Sequence, residues 1–418
     1  MKFGLMTYDY TTNLGNEIQS IAARQYLPTI DYCIDHEKLN LFQAKDKVKM
    51  IMNGWYLDCL NSWPPAPSIE PLLISMHFNS SINDTIEVIT SKESRDFFST
   101  YGPVGCRDYS TLNLLNELDI DAYYSGCLTL TLQKRQKETK SDKKYVVVNA
   151  YNSKEIIEFL KTKTELPIYD IQQESIWSYD RKYLDRMPIK YSLNSFYNHD
   201  EKFFIAENIL KIYENAYCVV TDRVHCSFPC LAFKTPVLFI NSASFGRERL
   251  QGMEKLLLET SFEGYKENYE IFNVDNPPKN SDNYLKLRKA LMKKTKEFTG
   301  YMNDSYDSNY SDEYIIDKQT LLWSKTALAS RRYMGQITYL TTRHEDKIAN
   351  INDKHILTLE KRDKKIADKN EIINKQKKEI KKKNDIIKHQ EKIIDEIQNS
   401  KSWKLTKPIR KITNSFRK

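Results

Sequence analysis

Apolar and polar positions along the chain alternate in blocks that read as strand, loop and helix. Lys2 to Met6 is strand-like and Thr7 to Asn16 is a polar loop. Glu17 to Tyr26 then carries Ile18, Ile21, Ala22 and Gln25 at helical spacing, and Pro28 stops it. Asp31 to Asn61 is weakly patterned. Trp63-Pro64-Pro65-Ala66-Pro67 is a stiff connector to the run Leu72 to Met76, which predicts a buried strand. The turn Gly102-Pro103-Val104-Gly105 leads to Cys106-Arg107-Asp108, and Ser110 is placed to cap a helix over Thr111 to Leu118 before a strand begins at Ala122. After the charged stretch Gln133 to Lys144 the pattern restarts. It gives strand 145–150, helix 154–163, strand 168–171, a longer connection, helix 201–214 and strand 217–220. The turn Thr221-Asp222-Arg223, a helix to Phe233 and a strand over Val237 to Ile240 follow. Strands alternating with helices predict parallel α/β layers in both halves, with domains 1–140 and 141–342 meeting near residue 140.

The remainder reads differently. Pro277 to Met334 is helical by composition except for a polar loop at 303–312. Beyond Gln336, Leu359, Ile366, Ile373, Ile380, Ile387 and Ile394 recur every seven residues, with Ile372, Ile386 and Ile393 one position earlier. This predicts a long exposed helix over 343–400 that forms a coiled coil with itself or a partner helix. Lys369, Gln376, Lys383 and Gln390 fill the opposing row, so the pairing is weak or conditional, and a single solvated helix is the alternative.

Charge sharpens this division. Residues 343–418 carry 23 basic and 12 acidic side chains, net +11, which leaves 41 basic and 44 acidic, net −3, to residues 1–342. A near-neutral body argues against a nucleic-acid-coating domain. In the tail 401–418, Trp403, Leu405, Ile409 and Ile412 stand among cations, a composition suited to an anionic bilayer; a solvated basic tail is the plainer alternative. The 418 residues, 40% apolar, can supply two sizeable cores and exclude a disordered, collagen-like or disulfide-built chain. Seven scattered cysteines suit a reducing compartment. The N-terminus lacks the apolar stretch of a signal peptide and no window has 18 apolar residues, so the expectation is a cytoplasmic protein, at most peripheral to the inner face of the plasma membrane.

The residue types that could do chemistry fall at strand-to-helix turns. Arg223 offers a forked cation matched to phosphate or carboxylate, and His225 can exchange protons near neutral pH. Both follow a strand, where parallel α/β domains bind ligands. The bland alternative pairs Arg223 with an internal Asp and lets His225 cap a strand end. Cys226 and Cys230 beside His225 lack zinc-site spacing and read as buried thiols, so no metal is expected. Gly105-Cys106-Arg107-Asp108 is a second cationic turn and Asn13-Leu14-Gly15-Asn16-Glu17-Ile18-Gln19 a third ligand loop. Asp119-Ile120-Asp121 has the look of a metal-binding pair but the position of a solvated turn. No P-loop or GxGxxG is present, so a nucleotide cofactor has no support.

Taken together these loops resemble the polysaccharide pyruvyl transferase family. The matching pieces are Asn13 to Gln19, Val104 to Asp108 with Ser125 to Leu132, and Thr221 to His225 followed by Lys234-Thr235-Pro236-Val237, in order over most of the body. The resemblance implies two Rossmann-like domains arranged as in GT-B glycosyltransferases, followed here by helices and the coiled coil. It implies transfer of a pyruvyl group from phosphoenolpyruvate, with no cofactor, to a sugar diol of a polysaccharide, oligosaccharide or lipid-linked acceptor, giving a ketal. Arg107 and Arg223 match the family's arginines, one per domain, and His225 its histidine. These three are the expected catalytic set, with Asn13, Gly15, Asn16, Glu17, Gln19, Asp108 and Asp222 as expected substrate-binding residues. Ser125-Gly126-Cys127 departs from the Asp-Pro pair common at that point in the family. The competing readings are a glycosyltransferase using a nucleotide sugar in the same cleft, and a non-catalytic scaffold built around the tail.

Overall fold

The computed structural model describes residues 1–8, 13–57, 62–78, 85–134, 144–173, 199–241, 250–303, 318–406 and 408–410. The inter-domain boundary expected near residue 140 lies outside them.

The first lobe is a six-stranded parallel sheet. Its strands are β1 (Lys2–Thr7), β2 (Tyr32–Asp35), β3 (Val48–Tyr56), β4 (Ile69–Phe78), β5 (Val104–Cys106) and β6 (Ala122–Tyr124), in the order β2-β1-β3-β4-β5-β6. Helix α1 (Leu14–Arg24) follows β1, α2 (Thr85–Thr90) and α3 (Lys92–Tyr101) follow β4, and α4 (Tyr109–Glu117) follows β5. The second lobe has β7 (Val146–Asn149), β8 (Ile168–Asp170), β9 (Cys218–Thr221), β10 (Val237–Ile240) and β11 (Leu258–Thr260), again all parallel, in the order β11-β10-β9-β7-β8. Its helices are α5 (Ser153–Leu160), α6 (His199–Asn215), α7 (Val224–Phe233) and α8 (Phe262–Glu267).

The weakly patterned stretch after Asp31 holds β2 and β3. Seven of the nine β3 residues are buried and the other two, Lys49 and Trp55, are half-buried, as befits a strand covered on both sides, so the period-2 signal that marks a half-buried strand is missing. Helix α1 begins earlier than its apolar spacing predicts. Asn13 Oδ1 accepts the Gly15 N–H at 2.9 Å, which turns the expected loop 13–16 into a cap and first helical turn. Likewise Asp108, not Ser110, caps α4, its Oδ1 accepting the Thr111 N–H at 2.9 Å.

The two lobes share one core. Phe3, Leu5, Leu14, Ile18 and Ile21 of the first pack with Ile205, Ile209, Tyr213 and Phe228 of the second. Each fully buried Leu or Ile contributes about 1.5–3 kcal/mol. A separate outer core lies on the far face of each sheet. Helix α9 (Leu285–Thr299) then leaves the second lobe for the first: the Phe298 carbonyl accepts from Lys49 Nζ at 2.7 Å, and Arg288 Nη1 and Nη2 donate to Leu130 and Leu132.

A second compact unit, Gln336–Lys418, is separate from Met1–Gly335. Helix α10 (Lys318–Asn399) runs without a break through the boundary expected at 343, because no Gly or Pro interrupts 336–407, and α11 (Lys401–Leu405) follows. At 82 residues α10 is about 120 Å long. Its heptad isoleucines, Ile366 to Ile394, are exposed along a single helix. No helix among the described residues is long and apolar enough to cross a membrane.

Candidate active site

Both sheets reverse their winding once, the first between β1 and β3 and the second between β7 and β9. In doubly wound sheets the crevice beyond the carboxyl ends at that reversal is where ligands bind, because the connections to either side diverge there. The 13–19 loop and the turn Asp222 to His225 fall at these two crevices, while Arg107 and Asp108 follow β5, two strands beyond β3.

At the first reversal, β1 runs out at Thr7 and the chain re-enters helix at Asn13, so Gly15 and Glu17 lie in the first turn of α1. At the second, Thr221 Oγ1 donates to the Asn149 carbonyl at 2.6 Å, joining β9 to β7, and accepts the Arg223 N–H at 2.9 Å. That arrangement turns the chain sharply into α7. Asp222 accepts the Tyr151 N–H at 2.8 Å, and its other oxygen lies 2.9 Å from Arg223 Nε, an ion pair without the alignment of a hydrogen bond. The internal Asp partner of the bland alternative therefore exists.

The reversals meet. Leu14 N–H donates to the Gln173 carbonyl of the second lobe at 2.8 Å. A Cβ on Gly15 would stand 2.8 Å from His225 Nδ1 and 3.2 Å from Gln173 Nε2, closer than side chains tolerate. Glycine is needed here for close approach: it lets the α1 N-terminus lie directly against His225.

Arg107 follows β5, its N–H held by the Met76 carbonyl at 2.8 Å. The side chain is 4% exposed, and its Nε makes no hydrogen bond among the described residues, lying 3.7 Å from Asp108 Oδ2. A buried guanidinium with hydrogen-bonding capacity to spare suits an anion. Asp108 stands behind it, fully buried, with Oδ2 accepting from His77 Nδ1 at 2.7 Å. Burial works against its charge, but the His77 charge and hydrogen bond, Arg107 and the Thr111 N–H outweigh burial and hold the carboxyl below its ordinary value. Asp108 thus braces Arg107 and His77 from behind.

Tyr8 ties this corner to α1. Burial and the Glu17 carboxylate push its phenol far above the ordinary value, against the opposing influence of Ser20 and Arg107. Gln19 is buried beside Asn16, which its Nε2 reaches at 3.4 Å, and its carbonyl accepts from Asn53 Nδ2 at 2.9 Å.

Two residues of this site carried no sequence signal. His77 owes its place to a bulge in β4: Met52 pairs with Leu73 but Gly54 with Met76, and Ser75 takes φ 55°. Leu73 before the bulge and Met76 and Phe78 after it all join the outer core, so His77 is left on the face of the shared core, where strict alternation would not put it. Lys202 of α6 is 4% exposed and reaches across the lobes: its Nζ lies 2.8 Å from Glu17 Oε1 and also donates to the Tyr8 carbonyl. Cys226 and Cys230 are buried within α7 as read, Asp119 and Asp121 lie in an exposed turn, and no group of three His, Cys, Asp or Glu among the described residues is placed to hold a metal.

A sequence model of the polysaccharide pyruvyl transferase family matches residues 13–244, more than half of the chain and the span holding both reversals. The chain belongs to the polysaccharide pyruvyl transferase family. Membership accounts for the order of the three loops along the chain, which two reversals of equal topology would not impose. No curated protein matches by sequence. Among solved structures, an S. aureus MnaA–UDP structure is similar at 12% identity and TM-score 0.37, covering 74% of this chain and 100% of that one. The UDP-GlcNAc 2-epimerase from Methanocaldococcus jannaschii is similar at 12% identity and TM-score 0.38, covering 71% and 99%.

Two outcomes follow from the geometry. Gly15→Ala should displace His225 and lower kcat/KM about a hundredfold while shifting the unfolding midpoint little, as misplacement of a reacting group by an ångström does; kinetics and a thermal melt on the same sample check it. Because the Asp108 carboxyl is depressed in the folded state, it contributes stability above its unfolded pKa of about 3.9 that is lost as pH falls through the lower folded value. Asp108→Asn should therefore be less stable than wild type at neutral pH, with the gap narrowing below about pH 4, in urea titrations across pH.

Proposed function

We propose that this member of the family transfers the pyruvyl group of phosphoenolpyruvate to a sugar diol and releases phosphate, forming a cyclic ketal. The observation that supports the reading is the meeting of the two reversals, where Gly15 of α1 lies against His225; in this reading the buried Arg107 and the half-buried Arg223 serve the same cleft. Phosphoenolpyruvate carries a phosphate and a carboxylate, and Arg107 and Arg223 supply forked cations for them. As the bond between C2 and the phosphate oxygen breaks, those cations stabilise the charge that builds on the leaving group.

Ketal formation needs a proton at C3 of the enol and the removal of two hydroxyl protons. His225 delivers the first as imidazolium, while the lone pair of the first hydroxyl forms the bond to C2. Phosphate then departs with the electron pair of its C–O bond, the second hydroxyl attacks, and its proton restores His225. The two hydroxyl protons thus end on the new methyl group and on phosphate. The acceptor is a polysaccharide, oligosaccharide or lipid-linked sugar. Asn13, Asn16 and Gln19, around the first reversal, suit hydroxyl groups, and Gly15 leaves room for close approach.

The tail serves location in this reading. The exposed heptad isoleucines of α10 pair with a second helix, of this chain or of a partner. The end of the chain, where Arg410 stacks on Trp403 and Leu405 and Ile409 are exposed, rests on an anionic membrane surface at the cytoplasmic face.

The test is phosphate release from phosphoenolpyruvate in the presence of diol acceptors, with the product read by NMR. His225→Ala should lower turnover by about 10²–10⁴-fold and leave phosphoenolpyruvate affinity within a few-fold. Full turnover in that variant, or sugar transfer from a nucleotide sugar in place of pyruvyl transfer, would contradict the reading.

A further inference from the structure

A buried chain of polar side chains runs from the second reversal to the start of α1. It begins at Asn149, the last residue of β7, and passes through Tyr213 of α6 to Gln173, which follows β8. All three are sealed from solvent, Asn149 and Tyr213 fully and Gln173 at 3% exposure. Tyr213 belongs to the core shared by the lobes, where apolar residues of similar volume would avoid the cost of burying polar groups.

The chain has a direction. Asn149 Nδ2 can only donate, and it does so to Tyr213 Oη at 2.6 Å. Burial, reinforced by Cys226, holds the Tyr213 phenol well above its ordinary value, so it keeps its proton and gives it to Gln173 Oε1 at 3.1 Å. The Gln173 carbonyl is taken by the Leu14 N–H at 2.8 Å. What remains of the side chain is Nε2, which makes no hydrogen bond among the described residues. Nε2 and His225 Nδ1 both lie within 3.2 Å of one point, the position a Gly15 Cβ would take. A buried amide held from behind, with its donors unspent beside His225, is placed to meet a ligand oxygen.

We propose that Gln173 is a donor-binding residue whose Nε2 donates to the carboxylate of phosphoenolpyruvate, and that Tyr213 is the positioning residue that turns the amide toward it. This rests on the reading of the site given above and deepens it. In phosphoenolpyruvate the carboxylate and C3 are both attached to C2, so when His225 reaches C3 a group beside His225 reaches a carboxylate oxygen. A hydrogen bond there stops the donor from swinging about its phosphate and presents the enol carbon to the imidazole. The arginines supply charge, and the neutral amide supplies orientation.

Calorimetric titration of the full chain with phosphoenolpyruvate and, separately, with inorganic phosphate tests the contact, because phosphate shares the leaving group and lacks the carboxylate. Gln173→Met should weaken phosphoenolpyruvate about tenfold and leave inorganic phosphate within about twofold, a split that a misfolded variant would not show. Gln173→Glu keeps an acceptor for Tyr213 and exchanges only the amide nitrogen for an oxygen; it should weaken phosphoenolpyruvate about a hundredfold with the thermal melt of the wild type. Tyr213→Phe, which lets the amide turn over, should weaken phosphoenolpyruvate about fivefold and spare inorganic phosphate, whereas a purely structural tyrosine would move only the melt. Unchanged phosphoenolpyruvate affinity in Gln173→Met or Gln173→Glu, or an equal loss of both ligands in Gln173→Met, overturns the assignment of Gln173 and leaves the donor reading in place. Wild-type protein that binds no phosphoenolpyruvate overturns the donor reading itself, and the role of Gln173 with it.

Discussion

Helix α1 lies against α6 between the two sheets, and the apolar face that seals the shared core is continuous with the polar first turn that enters the cleft. Leu14, Ile18 and Ile21 are packed from both lobes, so the register of that helix is held by the burial of several large side chains. Asn13, Gly15 and Glu17 ride on the same turn and inherit its position. The contact thereby sets the distance between the first reversal and His225, and Gly15 shows how little slack remains. Further contacts hold the same relation from the other side: Tyr109 N–H donates to the Gln251 carbonyl at 3.0 Å, and Tyr124 reaches the Gly252 carbonyl at 3.0 Å.

Within that frame the chemistry is a matter of compensated charge. Cations buried at the cleft would be untenable without acids nearby, and acids committed wholly to them would leave nothing for a ligand. The cleft resolves this by anchoring the acids elsewhere. Asp108 is held by a helix cap and His77, and Asp222 by the backbone of Tyr151, and each lies in an ion pair with the arginine next to it. His77 reaches Asp108 only because the bulge at Ser75 shifts the strand by one residue, a strained backbone position beside the site it serves.

Much of this was legible in the residues. The alternation of strands and helices, the cationic turns at Arg107 and Arg223 and the glycine loop at 13–19 all stand where strand-to-helix turns were read, because those features depend on local chemistry. What escaped depends on packing at a distance. Strand β3 is covered on both faces and so shows no alternation. The start of α1 is set by one side-chain cap at Asn13. Lys202 sits in a largely buried helix whose partner is 185 residues earlier in the chain, and no spacing rule connects it to Glu17. The return of α9 to the first lobe is likewise written in the carbonyls that Arg288 and Lys49 find, which no pattern of apolar residues announces.

The central claim is that one anion site is built from both lobes. It is tested most directly by thermal-shift titration of the full chain with phosphoenolpyruvate, comparing wild type with Arg107→Ala and Arg223→Ala. At 100 times its Kd a ligand adds about 2.7 kcal/mol, which gives a readable shift for a body of this size. The account predicts a stabilisation in the wild type that either substitution alone removes. A shift that survives in one of the two variants would mean that the donor is held by a single lobe, and would contradict it.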